Sequence, residues 1–230
     1  MTTSGTWNFF PDTGNLIKEA FDQAGIRPTE ITREYMSSAV MSINLEMQSW
    51  SNSPVNLWEV SLVTFSLTQG VNVLTFAPNV MLVLDGYVTL TQGSNPPIDR
   101  IMVSISRDEF AAYPTKTFQA AQTVFWYNRG NPSTATLWPV PDGQSETSAS
   151  FYVMTRPQDA LLANGQTPDI PIRYIDALAS RLAARLALKF NEKKYPLLKP
   201  IADAAFALAS VEDQERVQLR ITPDFSVWSV

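Results

Sequence analysis

The sequence predicts an α+β protein: a four-helix bundle with an inserted antiparallel β-sandwich domain and an extended C-terminal arm. Three observations predict it. Apolar residues recur with helical period before residue 52 and again after residue 171. Between them the chain switches to short runs rich in Val, Ile, Thr, Phe, Tyr and Trp. Turn clusters of Gly, Pro, Asn and Asp separate those runs. The expected boundaries are 1–56 for the first half of the bundle, 57–155 for the inserted β domain, 156–220 for the second half and 221–230 for the arm. Domain termini usually lie close together, so an insertion at this point costs little geometrically.

The first helix is expected over 14–24. Leu16, Ile17, Ala20, Phe21 and Ala24 make one stripe, Asp12 or Thr13 can cap its start, and Gly25 suits a left-handed stop. The second runs over 33–51 behind the N-cap Thr32. Ile31 and Met36 occupy the staple positions, and Met36, Val40, Ile43, Met47 and Trp50 repeat every four and three residues. Seven strands follow, over 60–67, 71–76, 80–90, 99–106, 123–128, 134–140 and 148–155. So many short strands at close spacing favour a sandwich. Asp85-Gly86 and Asp142-Gly143 read as turn dipeptides. Residues 107–113 predict one helical turn, capped by Ser106 and stopped by Pro114. A third helix over 172–190 carries Ile175, Leu178, Leu182 and Leu186, and a fourth over 199–215 carries Ile201, Ala205, Leu208 and Val211 on one stripe. The arm holds Pro223, which blocks helix, and the apolar anchors Ile221, Phe225, Val227, Trp228 and Val230.

The chain of 230 residues has neither Cys nor His, so thiolate and imidazole chemistry, zinc ligation and disulfides are excluded. No cofactor and no required metal are expected, since carboxylates alone suit Mg²⁺ or Ca²⁺. The net charge of −5 argues against bulk grip on nucleic acid. No apolar run approaches the ~20 residues of a membrane span, and residues 1–10 lack the pattern of a signal peptide. Charged residues are only 17%, against ~25% on average, and that depletion is typical of interface cores.

No phosphate-binding glycine loop is present, and no carboxylate pair stands at a catalytic spacing. Asp108-Glu109 reads as the acidic first turn of a capped helix. The basic run Arg181, Arg185, Lys189, Lys193 and Lys194 reads as a solvated helix face or as a partner patch. Phe125, Trp126, Tyr127 and Trp138 read as core and rim of the β domain or as a sugar-stacking platform. A tail-associated carbohydrate-binding or glycan-cleaving protein would use that platform, with two of Asp85, Asp99, Asp108, Glu109 and Asp142 as acid and base. A chaperone-like interaction domain is a third class.

Four stretches carry a more specific signal: Ile105-Ser-Arg-Asp-Glu-Phe110, Pro114-Thr-Lys116, Phe125-Trp-Tyr-Asn-Arg129 and Leu137-Trp-Pro-Val-Pro-Asp142. In this order they resemble the head-to-tail adaptor proteins of short-tailed phages, also called tail tubular or packaged-DNA-stabilisation proteins. Ile43-Asn-Leu-Glu-Met-Gln-Ser-Trp50 resembles that family's Leu-Asn…Trp helix, and the Ala-rich late helices fit as well. The chain departs at 117–123, where the family often carries Gly-Arg-Pro. The resemblance makes Arg107, Lys116, Arg129, Trp138, Pro139 and Pro141 the motif residues. It implies a non-enzymatic virion protein, made in the host cytoplasm, that forms a ring, commonly a dodecamer, at the head–tail interface. Its partners would be copies of itself, the portal protein and the tail nozzle protein, with no membrane. The arm would dock on the portal or on a neighbouring copy, and DNA would pass through the lumen without specific binding.

Overall fold

A computed structural model describes residues 3–52, 57–90, 97–162 and 165–211. Within them lie five helices, α1 (Thr13–Ala24), α2 (Arg33–Trp50), α3 (Arg107–Ala112), α4 (Ile175–Phe190) and α5 (Tyr195–Val211). The strands are β1 (Val60–Ser66), β2 (Val73–Thr75), β3 (Val80–Leu90), β4 (Ile98–Ile105), β5 (Val124–Asn128), β6 (Thr134–Trp138) and β7 (Glu146–Thr155). The arm residues Ile221, Phe225, Val227, Trp228 and Val230 lie outside the described residues.

The caps act as their residue types require. The Asp12 carboxylate accepts from Asn15 N at 2.8 Å to start α1, and Thr32 Oγ1 accepts from Tyr35 N at 3.3 Å to start α2. Gly25 ends α1 at φ 73°, a left-handed conformation that L side chains rarely adopt, and its N–H donates to the last turn.

The expected bundle with a sandwich insertion is corrected in both halves. The helices do not form four mutual neighbours. Instead α1, α2 and α5 each pack on α4 and little on one another. Alternating Ala and Leu make this possible, because Ala177, Ala179, Ala183, Ala184 and Ala187 let neighbours approach α4 on several sides while Leu178, Leu182 and Leu186 fill the gaps. The shared core adds Leu16, Ile17, Phe21, Ile43, Met47, Trp50 and Tyr174.

The strands form one seven-stranded curled mixed sheet, a half-barrel, in the order β1-β7-β3-β4-β5-β6-β2. A sandwich needs two sheets. Here β4 pairs antiparallel with β3 through Ile98–Met102 and parallel with β5 through Val103–Ile105, which splices the two halves into one. Parallel pairing requires a crossover, and the segment containing α3 supplies it. The sheet buries Phe125, Leu137, Phe151, Val153, Val88, Met102 and Phe76 on one side. Four near-perpendicular ring contacts, Phe65–Phe76, Phe76–Phe151, Phe125–Phe151 and Phe76–Tyr127, knit that core.

Asp85-Gly86 is not a turn. It lies inside β3, just past a register shift between Val83 and Asp85. A Cβ on Gly86 would stand 2.7 Å from the Phe151 ring, so the glycine is there to admit an aromatic side chain from β7.

Candidate functional site: a clamped turn, an arginine node and two bare helical faces

Part of the motif converges on α3, namely Lys116 and Trp138 with the Ser106-capped turn. Ser106 Oγ accepts from Glu109 N at 3.1 Å, while Glu109 Oε2 accepts from Ser106 N at 2.7 Å, a reciprocal capping box. That backbone bond holds the Glu109 carboxyl below its ordinary range. At the other end of α3, Lys116 Nζ donates to Tyr113 O at 2.7 Å, to Ala111 O at 2.9 Å and to Phe110 O, and it lies 4.9 Å from the Phe110 ring centre. One ammonium thus gathers three carbonyls at the end of a six-residue helix, of which Phe110 O also accepts from Tyr113 N at 3.3 Å.

Two tryptophans hold this turn against the sheet. Trp138 stacks on Tyr113 at 4.1 Å and donates from Nε1 to Thr115 O at 3.0 Å. Trp126 stacks on Phe110 at 5.7 Å. The register Val124↔Trp138 and Trp126↔Thr136 places both indoles on the face opposite Phe125 and Leu137. Past Trp138 the chain enters a cis Trp138–Pro139 peptide, and Val140 pairs with the 118–120 segment. Pro139 and Pro141 are buried, and Pro141 O accepts from Gly70 N at 3.0 Å. Arg107 belongs to α3 but faces solvent, paired only with its neighbour Asp108 at 3.4 Å. Arg129 stands apart, exposed at the end of β5.

The aromatic candidates differ in burial, with Trp126, Tyr127 and Trp138 half-buried. Phe125 is 1% exposed and belongs to the core, and Trp138 is half-buried under Tyr113. The five acidic candidates are dispersed. Asp85 lies in β3, Asp99 accepts from Thr89 at 2.8 Å, and Asp108 and Glu109 open α3. Asp142 closes its own turn, accepting from Gln144 N and Ser145 N, each at 2.8 Å, and from Ser145 Oγ at 2.6 Å. Those bonds, the hydroxyl first, lower its carboxyl to about 2. Its neighbour Glu146, not singled out by the sequence reading, is pushed up by burial and accepts from Gln122 Nε2 at 2.9 Å.

Sequence reasoning also missed Glu46. This buried carboxylate on α2 takes Arg181 Nη1 at 3.0 Å, Arg185 Nε, and Trp50 Nε1 at 2.9 Å. Arg181 also reaches Asp203 at 3.6 Å and lies 4.1 Å over the Phe206 ring. Lys189 continues the line to Ser42 Oγ at 2.7 Å. Three of the five residues read as a solvated face or a patch therefore join α4 to α2, Lys189 from an exposed position, while Lys193 and Lys194 are exposed beyond the helix. A signal was present: Glu46 is the lone charge between Glu34 and Glu59, and it falls on the apolar face of its helix.

Two helical faces point away from the core. On α5, Leu197, Ile201, Leu208 and Val211 are 58–75% exposed, while Ala202, Phe206 and Ala209 on the opposite side face the core. Of the stripe expected to close the bundle, Ile201, Leu208 and Val211 are thus directed outward, while Ala205 packs against the core. On α2, Met41 and Leu45 are 60% and 52% exposed. Among the described residues no helix is long and apolar enough to cross a membrane, and no group of three or more acidic residues is placed to hold a metal ion. No protein-family model matches the chain, and a comparison with curated proteins gives no match.

Proposed function

We propose that the chain is a virion structural protein, a ring-forming head-to-tail adaptor that joins a phage portal to the tail nozzle and continues the DNA channel. The observation that carries this reading is the clamped turn. The residues that resemble the adaptor motif are separated in sequence, yet Lys116, Trp138 and the Ser106-capped helix converge on one compact device whose hydrogen bonds are structural. A turn held so firmly on a sheet is a rigid docking element. The low share of charge and the bare helical faces favour a protein built for contact with other subunits. A negative lumen would let DNA slide without sticking. In this reading the arm, residues 221–230, is the portal anchor.

The test is electron microscopy of the protein mixed with its portal ring. An added ring of density under the portal is expected, and loss of that density when residues 221–230 are deleted. No association with the portal at any ratio would end the reading. A truncated chain that attaches as well as the full one would remove the arm from it.

A further inference from the structure

We propose that Glu146 is held as the neutral acid, and that its proton is the latch fastening the strap 117–123 to the turn that opens β7. The strap is the stretch where the chain departs from the adaptor pattern, and the inference does not rest on the adaptor reading.

The strap runs from the clamped turn to β5. Ala120 N donates to Val140 O at 3.1 Å, Val140 N to Phe118 O at 2.8 Å and Thr123 N to Trp138 O at 3.1 Å. Gln122 is the buried side chain of the strap, 0% exposed. Its Nε2 donates twice, to Ala120 O at 3.1 Å and to Glu146 Oε1 at 2.9 Å. Those two acceptors fix the orientation of the amide, because the flipped group would turn its oxygen toward both. Glu146 is 4% exposed, and its Oε1 accepts a second bond from Asp142 N at 3.0 Å. One oxygen of each group is left over. Gln122 Oε1 and Glu146 Oε2 are both buried, and neither has a donor.

A proton on Glu146 Oε2 answers both vacancies. The acid hydroxyl donates to Gln122 Oε1, and acid and amide close into a ring of two hydrogen bonds. An ionised Glu146 would instead bury a charge with one oxygen unbonded and leave the amide oxygen bare, each a cost that buried polar groups rarely carry. The surrounding charges favour the neutral form. On the same turn the Asp142 carboxylate, held low by Ser145 and Gln144, repels a second negative charge. On β4 the Arg100 guanidinium gives Nη2 to Gln122 O, and its buried Nε bonds nothing. Opposite Glu146 on β3 stands Leu90, and the strap itself has no charged residue. Among the described residues no cation pairs with Glu146. Burial first, and the Asp142 charge after it, push the Glu146 carboxyl above its usual 4.5, against the bonds from Gln122 Nε2 and Asp142 N.

The direction of the switch follows. Below about 4.5 the acid keeps its proton whether the strap is closed or open, and the latch is complete. As pH rises through the raised value of the closed state, the proton passes to solvent and two bare oxygens remain. The strap then loosens from the turn, while the main-chain pairing of β5 with β6 is untouched.

Two measurements on the full chain test this. With carbon-labelled glutamate, the carboxyl resonance that disappears in Glu146→Gln belongs to Glu146; Gln122→Met, which shifts the same resonance, identifies it independently. It is expected to titrate above 4.5. Titration at or below 4.5 would place a solvent-bridged charge there and overturn the proposal. Amide exchange at Ala120 and Thr123, divided by that of β5 amides so that base catalysis cancels, is expected to rise about fivefold between about pH 4.5 and 8. Glu146→Gln keeps a neutral group with a donor for Gln122 Oε1, and its strap is expected to stay closed at both values. A wild-type strap whose relative exchange ignores pH, or a Glu146→Gln strap that follows the wild-type rise, would overturn the latch.

Discussion

Glu46 is the residue whose replacement the structure prices most directly. In Glu46→Ala three donors lose their acceptor. Removing one member of a fully buried ion pair costs about 3–5 kcal/mol. The Arg181 and Arg185 side chains, however, are 26% and 38% exposed. They can turn toward water, so each contributes only about 0–1 kcal/mol, as an exposed pair does. Trp50 is 2% exposed and cannot follow them. The loss of its 2.9 Å bond inside the core costs about 1–3 kcal/mol. The expected destabilisation is therefore about 3 kcal/mol, a fall in melting temperature of roughly 6–12 °C for a chain of this size. Glu46→Gln retains an acceptor for the indole and is expected to lose about 1 kcal/mol. Thermal and urea unfolding followed by circular dichroism would measure both, and a Trp50→Phe cycle would isolate the shared term. A Glu46→Ala variant within about 0.5 kcal/mol of wild type, or no coupling to Trp50, would refute the claim that this carboxylate joins α2 to α4.

Three further expectations follow from individual contacts. Gly86→Ala drives a methyl into the Phe151 ring and is expected to cost about 1–3 kcal/mol in urea unfolding; a neutral result would mean that β3 and β7 can part without penalty. Burial raises Glu59 from its usual 4.5 to about 7, with Ser51 Oγ donating to it at 3.3 Å. A raised carboxyl contributes stability that is complete below its unfolded value and fades as pH rises through about 7, here by about 2 kcal/mol once partial solvent access is allowed for. Glu59→Gln should flatten that slope, and a variant with the wild-type slope would assign it to another group. Lys116→Met takes the ammonium from three carbonyls at the end of α3 and leaves only Phe110 O with a bond, from Tyr113 N, so amide exchange in 107–113 should speed up at least tenfold while the Phe125 region stays protected; unchanged exchange would remove the lysine from the clamp.

What could be read from the sequence was what local chemistry decides. Asp12, Thr32 and Ser106 mark helix starts because each offers its oxygen to a backbone N–H two or three residues on, a relation contained within one turn of chain. The alternating runs mark strands for the same reason. The single sheet was not legible, because it depends on which strands meet Val103–Ile105, and nothing local in β4 distinguishes a parallel neighbour from an antiparallel one. Helix α5 was legible as a helix but not in its facing. It is apolar nearly all round, and the small Ala202 and Ala209 turn inward because α4 is close, which leaves Leu197, Leu208 and Val211 outside. At the candidate site, Ser106, Asp108 and Glu109 were visible as a capped turn, while Lys116 stood out only through the family resemblance and not as its C-terminal clamp. The Glu46 node needs partners more than 130 positions away.

The central position of α4 also sets a timetable for the nascent chain. As it leaves the ribosome, α1 and α2 emerge first with Phe21, Ile43 and Trp50 uncovered, and the helix that covers them is made last but one. All seven strands lie between Val60 and Thr155, so the half-barrel has every segment it needs before α4 exists. Contacts between distant segments are slow to form, and domains fold as units during synthesis. The sheet therefore forms first and draws the ends of residues 50 and 175 together, which shortens the loop that the two halves of the helical core must close. Chains stalled when residue 165 has just cleared the ribosome are expected to resist protease in the sheet and to be cut in α1 and α2. Protection of those helices at that length would mean that they find cover before α4 arrives.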